Sequence, residues 1–253
     1  MRTYWNVLLL AMIMQDGKCE AADIIGGKEA PSTPYMALVR TGKTFCGGAL
    51  IMSDWVLTSA ECITDKTTTV DLGVRSIKNT KEKGRQQLKV VKTISHEKCN
   101  KVKHINNLQL LQLSGKANIN NAVNIIRTPE KCDDVKPGSI CTVAGWGRTD
   151  NKKLNPSDKL MEAKVTVIDR KVCNSLWNKT VKITKDMICT REKDAVRGFC
   201  NGDTGGPLIC GGFLKGLISF GPTLCGTPSG ADVYTRLSKD HMRWIKKKTR
   251  AMP

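Results

Sequence analysis

The sequence predicts an all-β protein, a barrel or a sandwich, and three observations carry that reading. Short apolar stretches rich in β-branched residues recur along the chain, separated by turns rich in Gly, Asn, Asp and Lys. Eleven cysteines among 253 residues point to a disulfide framework made in an oxidising compartment. Only one stretch, at the C-terminal end, has apolar residues at helical spacing. In order, strands are expected at Met36–Val39, which follows Pro34, and at Trp55–Thr58, which follows Asp54. The next are Thr69–Leu72, Leu88–Ile94 and Leu108–Leu113, the last entered from a pair of asparagines. Ile140–Ala144 follows Pro137-Gly138, and Met161–Ile168 alternates apolar with polar residues. Pro207–Ile209, Phe213–Ser219 and Asp232–Tyr234 are each preceded by glycines. The helix is expected from Ser238 to about Lys248, with Met242 and Ile245 on one face among lysines.

The chain begins with Arg2 and an apolar run from Val7 to Met14. That length suits a secretory signal peptide over residues 1–19 and is too short for a membrane span. No later segment reaches 18 consecutive apolar residues, so no span is expected in the rest. Removing residues 1–23 takes away two cations and three anions, so the net charge rises from +18 to +19. Such an excess favours polyanions, and for a secreted chain a sulfated glycosaminoglycan or proteoglycan comes first. The basic residues concentrate in Arg243, Lys246, Lys247, Lys248 and Arg250, and again in Lys78, Lys81, Lys83, Arg85, Lys89 and Lys92. No Cys-x-x-Cys pair, His-Glu-x-x-His or EF-hand pattern occurs, so no metal and no cofactor is expected. Asn178-Lys179-Thr180 is an N-glycosylation acceptor.

Three segments carry the chemistry. Gly202-Asp203-Thr204-Gly205-Gly206-Pro207 resembles the nucleophile loop Gly-Asp-Ser-Gly-Gly-Pro of trypsin-like serine proteases, with Thr204 at the attacking position. Trp55-Val56-Leu57-Thr58-Ser59-Ala60-Glu61-Cys62 resembles the segment that ends in the general-base histidine, and Glu61 stands in its place. Asn107-Leu108-Gln109-Leu110-Leu111-Gln112-Leu113 resembles the segment whose aspartate orients that histidine, and Asn107 stands there. Further similarity runs through Ile24-Ile25-Gly26-Gly27, Val143-Ala144-Gly145-Trp146-Gly147 and Ile168-Asp169-Arg170-Lys171-Val172-Cys173. Within the trypsin/chymotrypsin-like family the chain is most similar to the branch of granzyme A and granzyme K.

The resemblance implies two six-stranded Greek-key β-barrels with a C-terminal α-helix. The barrels fall at about residues 35–125 and 136–236, meeting near Pro129 and Pro137, and the helix at about 237–249. It implies a pro-segment at residues 20–23 ahead of a domain over residues 24–253. The disulfides it implies are Cys46 with Cys62, Cys141 with Cys210, Cys173 with Cys189, and Cys200 with Cys225. Cys19 would leave with the signal segment, and Cys99 and Cys132 are left over. Cys99 lies where granzyme A carries an interchain bridge, so a disulfide-linked homodimer and an internal Cys99–Cys132 bond both stay open. Ile24 and Asp203 would form the activation ion pair, and the amides of Gly202 and Thr204 the oxyanion hole.

In that family histidine takes the nucleophile's proton and aspartate holds the histidine tautomer. A glutamate with an ordinary value near ~4.3 is a weak base at neutrality, and Asn107 has no charge to give. His96 and His104 flank the loop before Asn107 and read as solvated, and His241 reads as structural. The specificity pocket would be lined by Gly198, Phe199, Ser219, Gly221 and Asp232. Gly198 stands where trypsin has its basal aspartate, and Phe199 is bulky enough to fill part of the space. Asp232 is read either as a relocated anion for Lys or Arg or as the solvated end of a loop. The expected function is that of a secreted or granule-stored, non-catalytic or nearly non-catalytic granzyme-like homologue. It would bind polyanions, and a protein or peptide partner across the cleft. The alternative is a serine-type endopeptidase with residual proteolysis through Thr204.

Overall fold

A computed structural model describes residues 24–152, 155–177, 181–193 and 196–250. The expected signal and pro-segments and the glycosylation acceptor Asn178 lie outside the described residues. Among the described residues thirteen strands and two helices are formed, and the all-β expectation holds.

Six strands close the first barrel: β2 (Met36–Thr41), β3 (Thr44–Met52), β4 (Trp55–Thr58), β5 (Thr69–Leu72), β6 (Gln86–Ser95) and β7 (Gln109–Leu113). Their order around the wall is β2-β3-β4-β7-β6-β5, and β5 pairs back onto β2 with Ala37 opposite Leu72. Every pairing is antiparallel. Val39, Leu50, Val56, Val70, Leu72 and Leu111 fill the interior, which is why their stretches read as apolar runs.

The second barrel uses β8 (Ile140–Gly145), β9 (Met161–Ile168), β10 (Met187–Thr190), β11 (Pro207–Cys210), β12 (Phe213–Phe220) and β13 (Asp232–Arg236). The pairings run β8-β9-β10-β13-β12-β11 and return from β11 to β8, closing the ring. Its core holds Val143, Ala163, Val165, Leu208, Ile218 and Tyr234. The short strand β1 (Lys28–Glu29) joins this barrel from outside, pairing with β9. Closure of both sheets removes the exposed edges that an open sheet would carry.

Three strands and a helix were not expected from the sequence. β3 contains Gly47-Gly48, which interrupts an apolar pattern, and β10 and β1 are only four and two residues long. Helix α1 (Arg170–Leu176) starts at Asp169, whose side chain accepts the Lys171 amide as an N-cap. The Asp169-Arg170-Lys171 run held that signal. Helix α2 (Lys239–Arg250) is close to the expected span, with His241, Met242, Trp244 and Ile245 buried. Its apolar face packs on Trp55, Leu57 and Leu110 of the first barrel and Leu214 and Leu217 of the second. The helix therefore ties the two barrels together.

The four expected disulfides are all formed, Cys46–Cys62, Cys141–Cys210, Cys173–Cys189 and Cys200–Cys225. Cys99 and Cys132 are free thiols, so the internal bond between them is not made.

Candidate active-site cleft

Glu61 lies just beyond β4, Asn107 just ahead of β7, and Thr204 in the turn before β11. Backbone contacts bring them to one seam. The Gly47 amide of β3 donates to the Thr204 carbonyl at 2.9 Å, holding the turn from the second barrel against the first. Gly205 has φ +82°, and a Cβ there would lie 2.1 Å from Thr58 Oγ1, so only glycine lets the turn sit this close.

Asn107 is fully buried, and both ends of its side-chain amide are hydrogen-bonded. Its Oδ1 accepts from Ser59 Oγ at 2.8 Å and from the Glu61 amide at 3.2 Å. Its Nδ2 donates to Ser219 Oγ at 2.8 Å. Thr235 Oγ1 donates to its carbonyl at 3.2 Å. Asn107 thus anchors the backbone of Glu61 without carrying a charge. Its contact with Glu61 runs through the main chain only.

The Glu61 side chain turns instead to His104, whose Nδ1 lies 2.6 Å from Glu61 Oε1. The His104 ring also stacks on Phe220 with centroids 4.2 Å apart. The sequence reading of His104 as a solvated loop residue is corrected here: the pair is about three-quarters covered. A complementary acid at position 61 and base at position 104 were the sequence signal, which separation in the chain concealed. Among the described residues, no hydrogen bond joins the Thr204 hydroxyl to Glu61, His104 or Asn107. The Gly202 and Thr204 amides find no acceptor there either, whereas those of Asp203, Gly205 and Gly206 are engaged by backbone carbonyls.

Of the expected pocket residues, Gly198, Gly221 and Asp232 come together around Phe199, whereas the Ser219 hydroxyl is held by Asn107. Asp232 opens β13 and is buried, so the reading of a solvated loop end is overturned. Its Oδ2 accepts from the Phe199 amide at 3.2 Å. A Cβ on Gly198 would lie 2.1 Å from the same oxygen, so the Asp232 carboxylate occupies the room a side chain at 198 would need. The Phe199 ring meets Tyr234 edge-on at 5.4 Å and sits 3.2 Å from where a Cβ on Gly221 would be. Burial raises the Asp232 carboxyl to about 8, with the Asp203 charge adding to the rise.

Asp203 is buried completely, and its oxygens accept from the Gly147 amide at 2.7 Å and the Cys200 amide at 2.9 Å. Burial lifts it to about 7. Ile24 lies in the same buried cluster as Phe199 and Ile218, with its nitrogen in the peptide bond that follows Asp23.

The basic clusters are less free than their sequence suggests. Arg85 is buried on Asp71 at 2.8 Å and leaves the surface stripe. Arg243 pairs with Asp240 at 2.9 Å, and Lys248 pairs with Glu97. Lys246, Lys247 and Arg250 stay exposed on α2.

Residues 24–245 match the Trypsin family profile. The chain is 44% identical to granzyme A of Bos taurus over 90% of its length and 88% of that protein. It is 40% identical to serine protease 57 of Homo sapiens, over 88% of this chain and 80% of that one. Among solved structures, neuropsin, a serine protease expressed in the limbic system of mouse brain, superposes with a TM-score of 0.81 at 31% identity. That match covers 89% of this chain and all of that one. With both barrels and the four disulfides in one frame, the chain belongs to the trypsin family of serine proteases.

Proposed function

We propose that this trypsin-family protein is secreted or stored in granules and acts by binding, with peptide-bond hydrolysis lost or nearly so. The observation that carries this reading is the pairing of Glu61 with His104, which turns the residue at the general-base position towards the loop, with no hydrogen bond from it to Thr204 Oγ1 among the described residues. A triad works as one unit, and removing one member costs on the order of 10⁴ in turnover. Here all three positions differ from the family pattern. The cleft keeps its frame, because Asn107 is a buried anchor hydrogen-bonded at both ends of its side chain, and among the described residues the Gly202 and Thr204 amides have no acceptor. That frame supports capture of a protein or peptide segment without cleavage. The exposed cations of α2 support binding of sulfated glycosaminoglycan, and Cys99 supports a disulfide-linked homodimer.

The test is active-site labelling and peptide-library turnover on the form that begins at Ile24, beside a variant carrying Glu61→His, Asn107→Asp and Thr204→Ser. An inert natural form and a cleaving restored form support the reading. Turnover by the natural form, with label on Thr204, overturns it.

A second reading rests on the same pair. A carboxylate holding the Nδ1 of an imidazole leaves Nε2 as a base, so His104 would serve Thr204 in slow proteolysis. Loss of any turnover in His104→Gln, with the fold intact, is the outcome that reading requires.

A further inference from the structure

His241 of α2 is buried, and both of its ring nitrogens face oxygen acceptors. Nδ1 lies 2.7 Å from the Arg236 carbonyl oxygen, which can only accept. Nε2 lies 2.9 Å from Asn106 Oδ1. The Asn106 amide is oriented by its own Nδ2, which donates to the Lys98 carbonyl at 2.9 Å. The Ser238 amide, 3.4 Å from Nδ1, is too distant to compete with the 2.7 Å contact. A neutral imidazole has one N–H, so it satisfies only one of these two acceptors; an imidazolium satisfies both. If the Asn106 amide turned over to serve a neutral ring, its oxygen would face the Lys98 carbonyl. With the closer Arg236 carbonyl keeping the single proton on Nδ1, one of the two contacts made by Asn106 is lost when His241 carries no second proton.

Asn106 sits in the loop that runs from His96 to Asn107, with φ +50°. The same loop carries His104 to Glu61 and Phe220. We propose that His241 is a proton-operated latch: when its ring is doubly protonated it clamps Asn106 and fixes the 96–107 wall of the cleft, and when neutral it releases that wall. This holds whether or not the cleft catalyses anything, because the clamp contains none of the residues at the triad positions.

The groups around the ring set where the latch works. Burial pushes His241 below the ordinary histidine range, so the second proton arrives at a pH lower than an exposed histidine would need. Asp186 and Asp240 oppose that fall, and the Arg236 guanidinium adds to it. From the loop, His96 meets His241 edge-on at 5.6 Å and packs on Trp244. Its Nδ1 accepts the Lys98 amide at 3.2 Å, a contact that needs His96 neutral on that nitrogen. Glu97, Lys98 and Lys248 complete the set. Two rings this close do not readily charge together, and the hydrogen bonds assign the proton to His241.

The experiment uses the full chain with ¹⁵N-labelled histidine, titrated from about pH 7.5 to 5, bracketing the ordinary value of ~6.5. The expected result is that both His241 nitrogens become protonated while His96 keeps an unprotonated Nδ1. Over the same interval, amide exchange in residues 99–106, corrected for intrinsic rate, should slow about fivefold, the weight of one hydrogen bond. His241→Gln should exchange at a rate independent of pH. Should that variant fold poorly, Asn106→Asp gives the second arm: a permanent acceptor raises the His241 midpoint by about one unit or more. A His241 ring that stays neutral throughout, loop protection in His241→Gln that still follows pH, or an unmoved midpoint in Asn106→Asp overturns the latch.

Discussion

Glu61 and His104 are 43 residues apart in the chain, yet their side chains meet at 2.6 Å beside a ring of Phe220. A partly exposed carboxylate–imidazole contact of this kind contributes little to stability, typically below about 1 kcal/mol. Glu61→Gln is accordingly expected to move the denaturation midpoint only slightly while freeing the His104 ring. The check is a urea titration beside the ¹⁵N spectrum of His104. A loss above about 2 kcal/mol would mean that the pair is a structural brace.

Asn107 behaves in the opposite way. Its side chain satisfies Ser59 and Ser219 hydroxyls and the Glu61 amide inside a fully buried site. Asn107→Ala strands these partners and is expected to cost about 2–3 kcal/mol in urea unfolding. Asn107→Asp keeps the acceptor for Ser59 and the Glu61 amide and loses the donor to Ser219, whose hydroxyl can turn to donate instead, so it should be milder near neutrality.

The two buried carboxyls make stability fall with rising pH in the uncleaved chain. Asp203 is held at about 7 and Asp232 at about 8, against an unfolded value of ~3.9. The folded state thus retains protons that the unfolded chain has released. Stability is greatest at the acid end of this window and is lost between about pH 4 and 8. Asp232→Asn should flatten that decline, and so should a chain beginning at Ile24, whose free amine would favour the charged form of Asp203. Denaturation midpoints at several pH values across the window measure both.

Gly198 and Asp232 compete for one space, with only 2.1 Å between a Cβ at 198 and Asp232 Oδ2. Gly198→Ala is expected to cost about 1–3 kcal/mol by overpacking. Adding Asp232→Gly should return at least ~1 kcal/mol of it, a coupling that a double-mutant cycle reads directly. Additive costs would show that the two sites do not share the space.

Charge pairing on α2 predicts unequal roles in polyanion binding. Replacing exposed Lys246, Lys247 and Arg250 by alanine should lower the salt needed to elute the protein from immobilised heparin. Replacing Arg243 and Lys248, which already face Asp240 and Glu97, should lower it less.

Much of the architecture was legible in the chain because barrel strands buried on one or both sides spell apolar runs. Trp55–Thr58, Thr69–Leu72 and Met161–Ile168 begin and end where the sequence puts them. β3 escaped because Gly47-Gly48, needed where the strand passes the Thr204 turn, breaks the run. At the cleft, the unusual residues at positions 61, 107 and 204 could be read from the frame around them. The partner of Glu61 could not, since no local pattern tells a loop histidine which distant side chain it will reach. Asp232 was ambiguous for a related reason: one residue at a strand start is compatible with either solvent or core, and packing of Phe199 decides it.

Strand β1 has a consequence for maturation. It pairs Lys28 and Glu29 with β9, so only residues 24–27 lie between the sheet and an end cut at Ile24. Within them, the Gly27 amide already turns back onto the Ile24 carbonyl at 2.6 Å. A terminus made by a cut ahead of Ile24 would therefore be on a four-residue leash, with a reach of no more than about 14 Å. Its effective concentration there is high and the entropy lost on docking is small. Trimming ahead of Ile24 would then act as a local chemical change at a prepared seat, with no large refolding to follow.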